Sequence, residues 1–186
     1  MANTEHIETL DFLDKLSVVT YRSGITLFAI ALCLSCLVIA DDVGFIFIDI
    51  QFKELAFFTL TLSSAMSAAN LHVYDKKIRL FITWSAWIGL VLFSLLDDSR
   101  FPWVPIGFLF VTFSGIALKE SFCFNVFGLK LVPFLLCTAT LMLAIEVWIV
   151  ALLCLMATSI IFFFLAIQKW KMPLHFNIGN KANYQN

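Results

Sequence analysis

The sequence has few charged residues. Only 13% of its 186 residues are charged, 61% are apolar and the mean hydropathy is +0.95, whereas soluble domains carry about 25% charged residues. So few charges cannot coat a water-facing globule, which excludes an ordinary soluble domain. The net charge of −1 offers no basic surface to nucleic acid, so no nucleic-acid partner is expected.

Catalytic motifs are missing as well. The chain has no HExxH, no GxSxG, no glycine-rich phosphate loop and no pair of intramembrane aspartates. Ser114-Gly115 lacks the first glycine of the GxSG motif of rhomboid-type proteases, because Thr112 stands in its place. His72 is the only histidine at membrane depth, which argues against haem. We therefore assign no catalytic residue and expect no cofactor, while metal binding stays open.

The cysteines do not form a disulfide framework. They are odd in number and lie in or beside apolar segments: Cys33, Cys36, Cys123, Cys137 and Cys154. Cys33 and Cys36 form a CxxC near the middle of the first apolar run. Apolar surroundings suppress the reactive thiolate, so a structural role is expected, although a redox role stays open.

Long apolar runs fill most of the chain. Crossing about 30 Å of hydrocarbon takes roughly 20 helical residues, and in lipid the backbone must satisfy its hydrogen bonds internally. The runs are 23–40, 55–73, 80–96, 101–118 and 131–168. They lack the alternation of barrel strands. The sequence therefore predicts an all-α, polytopic transmembrane helix bundle.

The last run is too long for one span. As a single helix, 131–168 would extend about 57 Å, nearly twice the hydrocarbon thickness. Its only charge is Glu146, which would cost about 2.5–3.5 kcal/mol at the bilayer centre. A tight turn at Ile145–Trp148 removes both problems. It predicts spans at 131–144 and 149–168, and hence a six-span domain over 23–168.

The distribution of lysine and arginine supports six spans and sets the orientation. With six spans, one side holds Lys15, Arg22, Lys76, Lys77, Arg79, Lys119, Lys130, Lys169, Lys171 and Lys181, and the other only Lys53 and Arg100. One span in place of the last two would make the division far more even. Because the rich side faces the cytoplasm, both termini are predicted to be cytoplasmic.

Three segments lie outside the predicted spans. Residues 1–22 are predicted to form a short amphipathic N-terminal helix on the inner membrane surface or on the bundle, with apolar positions at helical spacing: Ile7, Leu10, Leu13 and Leu16. The apolar stretch 43–52 is too short to span and is predicted to rest at the outer interface or dip into it. Residues 169–186 form a cytoplasmic tail.

Two groups of polar residues are candidate sites. Asn70, His72 and Asp75 lie at the inner end of span two, where a helix would place His72 and Asp75 on one face as a pair or as two ligands of a cation. The alternative is a helix end with a basic loop. The outer face is predicted to be acidic, and its acids are either functional or simply solvated loop ends: Asp41, Asp42, Asp97, Asp98 and Glu146.

Small residues follow one another in span two. The run Ser63–Ala69 places Ser64 with Ala68, and Ala65 with Ala69, four residues apart. Small residues allow close helix approach in lipid, so packing is expected. The alternative is a narrow polar track for a solute.

Four stretches carry a resemblance to a known family. They are Leu13–Gly24 (LDKLSVVTYRSG), Leu71–Lys77 (LHVYDKK), Lys119–Phe124 (KESFCF) and the tail around Gly179-Asn180-Lys181. They resemble a family of uncharacterised bacterial integral membrane proteins, a domain of unknown function. The resemblance implies a small protein of the bacterial inner membrane, and it supplies no activity.

Three functions remain open. Spans rich in Phe, Leu and small residues favour a non-enzymatic accessory or assembly component, embedded in the bilayer with a membrane-protein partner or as a homo-oligomer. The first alternative is a transporter or channel for a small solute or cation. The second is a membrane enzyme centred on His72 and Asp75, with Glu120 nearby.

Overall fold

The computed structural model describes residues 10–96 and 103–178, which fold into helices joined by short connections. The long helices are α1 (Phe12–Asp42), α2 (Ile50–Ala69), α3 (Lys76–Leu95), α4 (Trp103–Ser121), α5 (Val132–Ala144) and α6 (Trp148–Lys171). A 3₁₀ turn, Leu129–Leu131, precedes α5, and a short α7 (His175–Ile178) follows α6. Neither described range contains a strand. The predicted all-α helix bundle is confirmed.

The six long helices form a closed ring. Each packs against the next in sequence, and α1 packs against α6. Helices α1, α3 and α5 begin at one end of the bundle, and α2, α4 and α6 end there. We call this the basic end, because nearly all described lysines and arginines lie there. The opposite end is called the acidic end.

Four phenylalanines from three helices fill the centre of the ring. The ring of Phe28 stacks on that of Phe113 with 3.5 Å between centroids and meets the edge of Phe162 at 4.7 Å. Phe110 lies edge-on to Phe28 at 6.3 Å. All four side chains are buried. The edge-to-face contacts that Phe162 and Phe110 make with Phe28 add to the stabilisation that burial provides.

Among the described residues, four helices are long and apolar enough to cross a membrane: α1, α3, α4 and α6. Helix α2 has a suitable length of 20 residues, but Lys53 and Glu54 lie near its start. Helix α5 has only 13 residues, and with the preceding 3₁₀ turn it extends about 26 Å, slightly less than the hydrocarbon thickness. The six-span count therefore remains a prediction.

The amphipathic N-terminal segment is continuous with the first apolar run. Within the described residues it forms the first turns of α1, which extends about 46 Å over its 31 residues. Nothing in the sequence breaks the helix before Gly24, and Tyr21 and Arg22 are buried in the bundle. Phe12 and Leu13 stay exposed. Position Ile7 lies outside the described residues.

The turn between α5 and α6 divides the long apolar run at Ile145–Val147, within the turn that the sequence predicts. Val147 N–H donates to Met142 O at 2.8 Å and Glu146 N–H to Leu143 O at 3.4 Å, the bonding pattern of a Schellman C-cap. Glu146 has φ 61°, a left-handed conformation that costs a non-glycine residue roughly 1–2 kcal/mol.

The connection between α1 and α2 uses the same cap with a glycine. Gly44 has φ 85°, and Phe45 N–H donates to Ala40 O at 2.8 Å. The chain then crosses to α2, which begins at Ile50 rather than at the predicted residue 55. The stretch 43–52 is therefore a loop followed by the first turn of a helix.

Candidate functional site

The predicted helical pair of His72 and Asp75 is wrong in its geometry, because α2 ends at Ala69 and both residues lie in the loop before α3. Asp75 is the N-cap of α3, and its carboxylate accepts from Ile78 N–H at 3.0 Å. Asn70 Nδ2 donates to Met66 O at 3.0 Å. Both side chains thus satisfy backbone groups at helix ends.

His72 turns toward α1 rather than toward Asp75. Its Nε2 lies 3.4 Å from Ser17 Oγ, and its ring meets the Tyr21 ring edge-on at 6.3 Å. Burial, followed by the positive charge of Lys119, lowers the pKa of His72 to about 4. The imidazole is therefore neutral at neutral pH and packs as a loop anchor.

A cation site at this loop stays a prediction. Across residues 10–96 and 103–178, no group of three or more His, Cys, Asp or Glu side chains is placed to hold a metal ion. The one histidine of the loop is held against α1 by Tyr21 and Ser17.

A buried charged cluster lies beside His72 at the basic end. We call it the Glu120 cluster; its members are Tyr21, Lys119, Glu120 and Lys169. Glu120 Oε1 accepts from Tyr21 Oη at 2.8 Å and lies 3.2 Å from Lys119 Nζ. Glu120 Oε2 lies 2.9 Å from Lys169 Nζ. Glu120 and Lys169 are only 1% and 2% exposed, so each relies on the other for the solvation that water would provide.

Aromatic rings complete the surroundings of the two ammonium groups. Lys169 Nζ lies 4.9 Å from the centroid of the Tyr21 ring and 5.3 Å from that of Phe124. Lys119 Nζ lies 4.8 Å from the Tyr21 centroid. All three distances are within the range of cation–π attraction. The cluster thus joins α1, α4 and α6 through one phenol and one carboxylate.

Arg22 extends this network to the segment that follows α6. Its guanidinium donates to Met172 O at 2.7 Å, Pro173 O at 2.9 Å and Asn177 Oδ1 at 3.0 Å. The side chain is 2% exposed. Because the guanidinium fork presents several donors in a fixed plane, one residue fixes the chain reversal between α6 and α7.

The geometry of the Glu120 cluster suits a structural anchor. Both carboxylate oxygens of Glu120 accept short, charge-assisted contacts, and the Tyr21 proton is already donated to one of them. A carboxylate held this way is a poor general base. The cluster fixes the relative positions of three helices.

Comparison with known proteins identifies the family. Residues 66–185 match the model of a family described as "Uncharacterized integral membrane protein (DUF2301)". The chain belongs to this family. A protein of Haemophilus influenzae described as "Uncharacterized protein" is 31% identical over 181 residues, which is 97% of each chain. No solved structure matches the chain.

The resemblance noted in the sequence is therefore confirmed, and this DUF2301 member is an integral membrane protein of a bacterial family. Three of the four stretches that carry the resemblance meet at the Glu120 cluster. Leu13–Gly24 contributes Tyr21, Leu71–Lys77 contributes the adjacent His72, and Lys119–Phe124 contributes the carboxylate and a covering ring.

The sequence analysis did not identify the Glu120 cluster as a unit. It used Lys169 only as a marker of topology and mentioned Glu120 only as a neighbour of His72, and Tyr21 entered only through the stretch Leu13–Gly24. One signal was present. Glu120 follows the predicted span 101–118, and Lys169 follows the predicted span 149–168. Because both helices end on the same side, the carboxylate and the ammonium group lie at the same depth.

The acidic end is partly neutralised in this structure. Lys53 Nζ lies 3.0 Å from Asp41 Oδ2 and 2.8 Å from Asp42 Oδ1, and Asp41 Oδ1 accepts from Ile48 N–H at 3.2 Å. Glu146 is exposed in its turn. The other two predicted acids, at positions 97 and 98, lie outside the described residues. A functional acidic face stays a prediction.

The small residues of α2 serve close packing against α1. A Cβ added at Gly24 would lie 2.4 Å from Ser67 Oγ and 3.1 Å from Ser63 O, so the backbones approach directly there. Ser63 and Ser64 donate to Leu60 O of their own helix. The Ser64–Ala68 pair is buried, whereas Ala69 of the second pair is exposed.

The two cysteines of the CxxC differ in environment. Cys36 is buried and its Sγ lies 3.9 Å from Leu152 O of α6, whereas Cys33 is exposed on the lipid-facing surface of α1. Both are free thiols. The structure thus places one of them at a helix contact, as a packing role requires.

Proposed function

We propose that this protein is a non-enzymatic membrane component that binds a transmembrane helix of a partner protein. The observation that carries the proposal is a groove of about 560 Å³ on the membrane-facing side of α4. Helix α4 packs against both α3 and α5, and the side chains of these neighbours form the walls. An accessory protein needs such a lateral surface more than it needs an interior pathway.

The length and the floor of the groove fit a helix. Its lining runs along α4 from Trp103 to Leu118, about 22 Å of helix, which is most of the hydrocarbon thickness. Gly107 and Ser114 lie on the floor, and Thr140 contributes from α5. Small side chains let a second backbone approach closely, which is how helices associate in lipid.

The interior of the bundle supports binding more than transport. The rings of Phe28, Phe113 and Phe162 occupy its centre, and the serine run of α2 packs against Gly24. The Glu120 cluster holds the end of α4 against α1 and α6. The wall that carries the groove is therefore held rigidly, and preorganised surfaces bind with a smaller entropic cost.

Position-specific photo-crosslinking in native membranes tests the proposal. A photoreactive phenylalanine analogue at Val111, which lies in the groove and is 39% exposed, is expected to yield one discrete adduct with a partner protein. The same analogue at Phe163 of α6, 55% exposed, is the matched control and is expected to yield none.

Blocking variants separate specific binding from collision. Gly107→Leu, and independently Cys137→Phe at the exposed edge of the groove, are expected to abolish the adduct at Val111 while membrane levels stay normal. Adducts with lipid alone, an adduct of twice the 21.1 kDa chain mass, or equal adducts at Phe163 would each contradict binding of a partner helix.

A further inference from the structure

A second apolar space lies inside the bundle, at the acidic end. It is a cavity of about 180 Å³ bounded by α1, α2, α4, α5 and α6. Asp42 and Trp148 lie at its rim, where their helices end and begin, and Phe110 lies at its floor. From Trp148 to Leu155 on α6 the cavity is about 10 Å deep. Trp103 and Phe110 line both this cavity and the groove over α4.

The size of the cavity matches one aromatic ring. An engineered protein cavity of about 150 Å³ with Leu, Ile and Phe walls stays dry and binds benzene, so a slightly larger cavity accepts a ring with a small substituent. The walls here are mostly aliphatic and aromatic, with Phe57 from α2 and Phe110 from α4. Water is a poor occupant, because it needs two to four polar partners.

Besides the indole N–H groups of Trp103 and Trp148, the polar groups that line the cavity are two acceptors, Ser35 and Asp42. Ser35 Oγ already donates its proton to Ala31 O at 2.8 Å, which leaves its oxygen free to accept. The Asp42 carboxylate at the rim can accept too, and its charge is balanced by Lys53 at 2.8 Å. A ligand with one O–H or N–H donor and no net charge therefore complements this end, since a cation would compete with Lys53.

We propose that the cavity binds a small, neutral aromatic molecule that carries one hydrogen-bond donor, such as a simple phenol. The ring lies between Phe57, Phe110 and Trp148, and the donor points to Asp42 or Ser35. The ligand is held rather than passed on, because the rings of Phe110 and Phe28 close the floor.

Fluorine NMR of the purified full chain in detergent tests this site with 4-fluorophenol as the probe. We expect saturable line broadening beyond that given by empty micelles. The matched ligand 4-fluorotoluene lacks the donor and is expected to bind about five- to tenfold more weakly, as loss of one hydrogen bond predicts. Equal affinity of the two probes would refute the role of Asp42 and Ser35.

A filling variant locates the binding. Ala56 is 2% exposed and lines the cavity, so Ala56→Leu is expected to weaken binding at least about tenfold. Ala69→Leu, at an exposed position of the same helix, is expected to leave it unchanged. If Ala56→Leu fails to fold, Ser35→Leu fills the same space from α1. Absence of saturable binding to the wild-type chain, or binding that survives the filling variant, would overturn the proposal.

Discussion

Removing the charge of Glu120 is expected to destabilise the bundle more than any other single isosteric change at the basic end. Glu120→Gln keeps the size of the side chain and an oxygen that accepts from Tyr21 Oη. It removes the counter-charge of Lys169, whose Nζ lies 2.9 Å away and whose side chain is 3% exposed. A buried cation left without its partner costs about 3–5 kcal/mol.

The partner variant has a smaller expected effect. Lys169→Met leaves Glu120 with Lys119 at 3.2 Å and with the Tyr21 hydroxyl at 2.8 Å, so we expect a loss of about 1–3 kcal/mol. In the double variant both buried charges are absent. Lys119 reaches the surface in that case, because its side chain is already 21% exposed. The double variant is therefore expected to lose less than the sum of the single losses by at least about 1 kcal/mol.

Equilibrium unfolding with SDS in mixed micelles measures these free energies. In a background where the other four cysteines are replaced by alanine, a thiol-reactive dye reports exposure of the buried Cys36. Lys130→Met, at an exposed lysine of the same end, is the control and is expected to stay within about 0.5 kcal/mol of wild type. Wild-type stability of Glu120→Gln, or additive losses in the double variant, would refute the description of the cluster as a coupled anchor.

Three further predictions follow from local geometry. The folded-state pKa of His72 is lowered from its usual 6.5 to about 4. Its contribution to the free energy of unfolding is therefore fully present above pH 6.5. It is lost as the pH falls from 6.5 toward 4, by at most about 3 kcal/mol; a His72→Gln variant that kept the same pH slope in detergent unfolding would contradict this. Gly24→Ala places a Cβ 2.4 Å from Ser67 Oγ and is expected to cost about 1–3 kcal/mol. Gly107→Ala, whose Cβ meets only the end of Thr140 at 3.1 Å, is expected to cost clearly less; equal thermal shifts would count against close α1–α2 packing. Glu146→Gly relieves a left-handed conformation and is expected to raise stability by about 1 kcal/mol, so a lowered melting temperature would argue against the Schellman cap.

The fold was predictable because lipid leaves the chain few choices. Apolar runs must be helical, and the single charge in the long run, Glu146, marked the turn between α5 and α6. Helix ends were less predictable. Helix α2 begins and ends earlier than hydropathy indicates. At its C-terminal end Asn70 caps α2, and Asp75 caps the start of α3, and a hydropathy pattern does not register capping.

The charged cluster was harder to predict than the helices. Lys169 and Arg22 contribute to a count of basic residues in the same way whether they face water or pair inside the bundle. Which of these applies depends on the rotation of each helix about its axis, and no periodicity in these nearly uniform apolar helices reports that rotation. Only the packed structure shows that Glu120 and Lys169 face each other.

Topology mapping determines whether six helices cross the membrane and whether the Glu120 cluster lies at its cytoplasmic surface. Reporters of cytoplasmic and external location are fused after residues 98, 125 and 180 in cells. External signal is expected at residue 98, and cytoplasmic signal at residues 125 and 180. Cytoplasmic signal at residue 98, or external signal at residue 180, would contradict this topology.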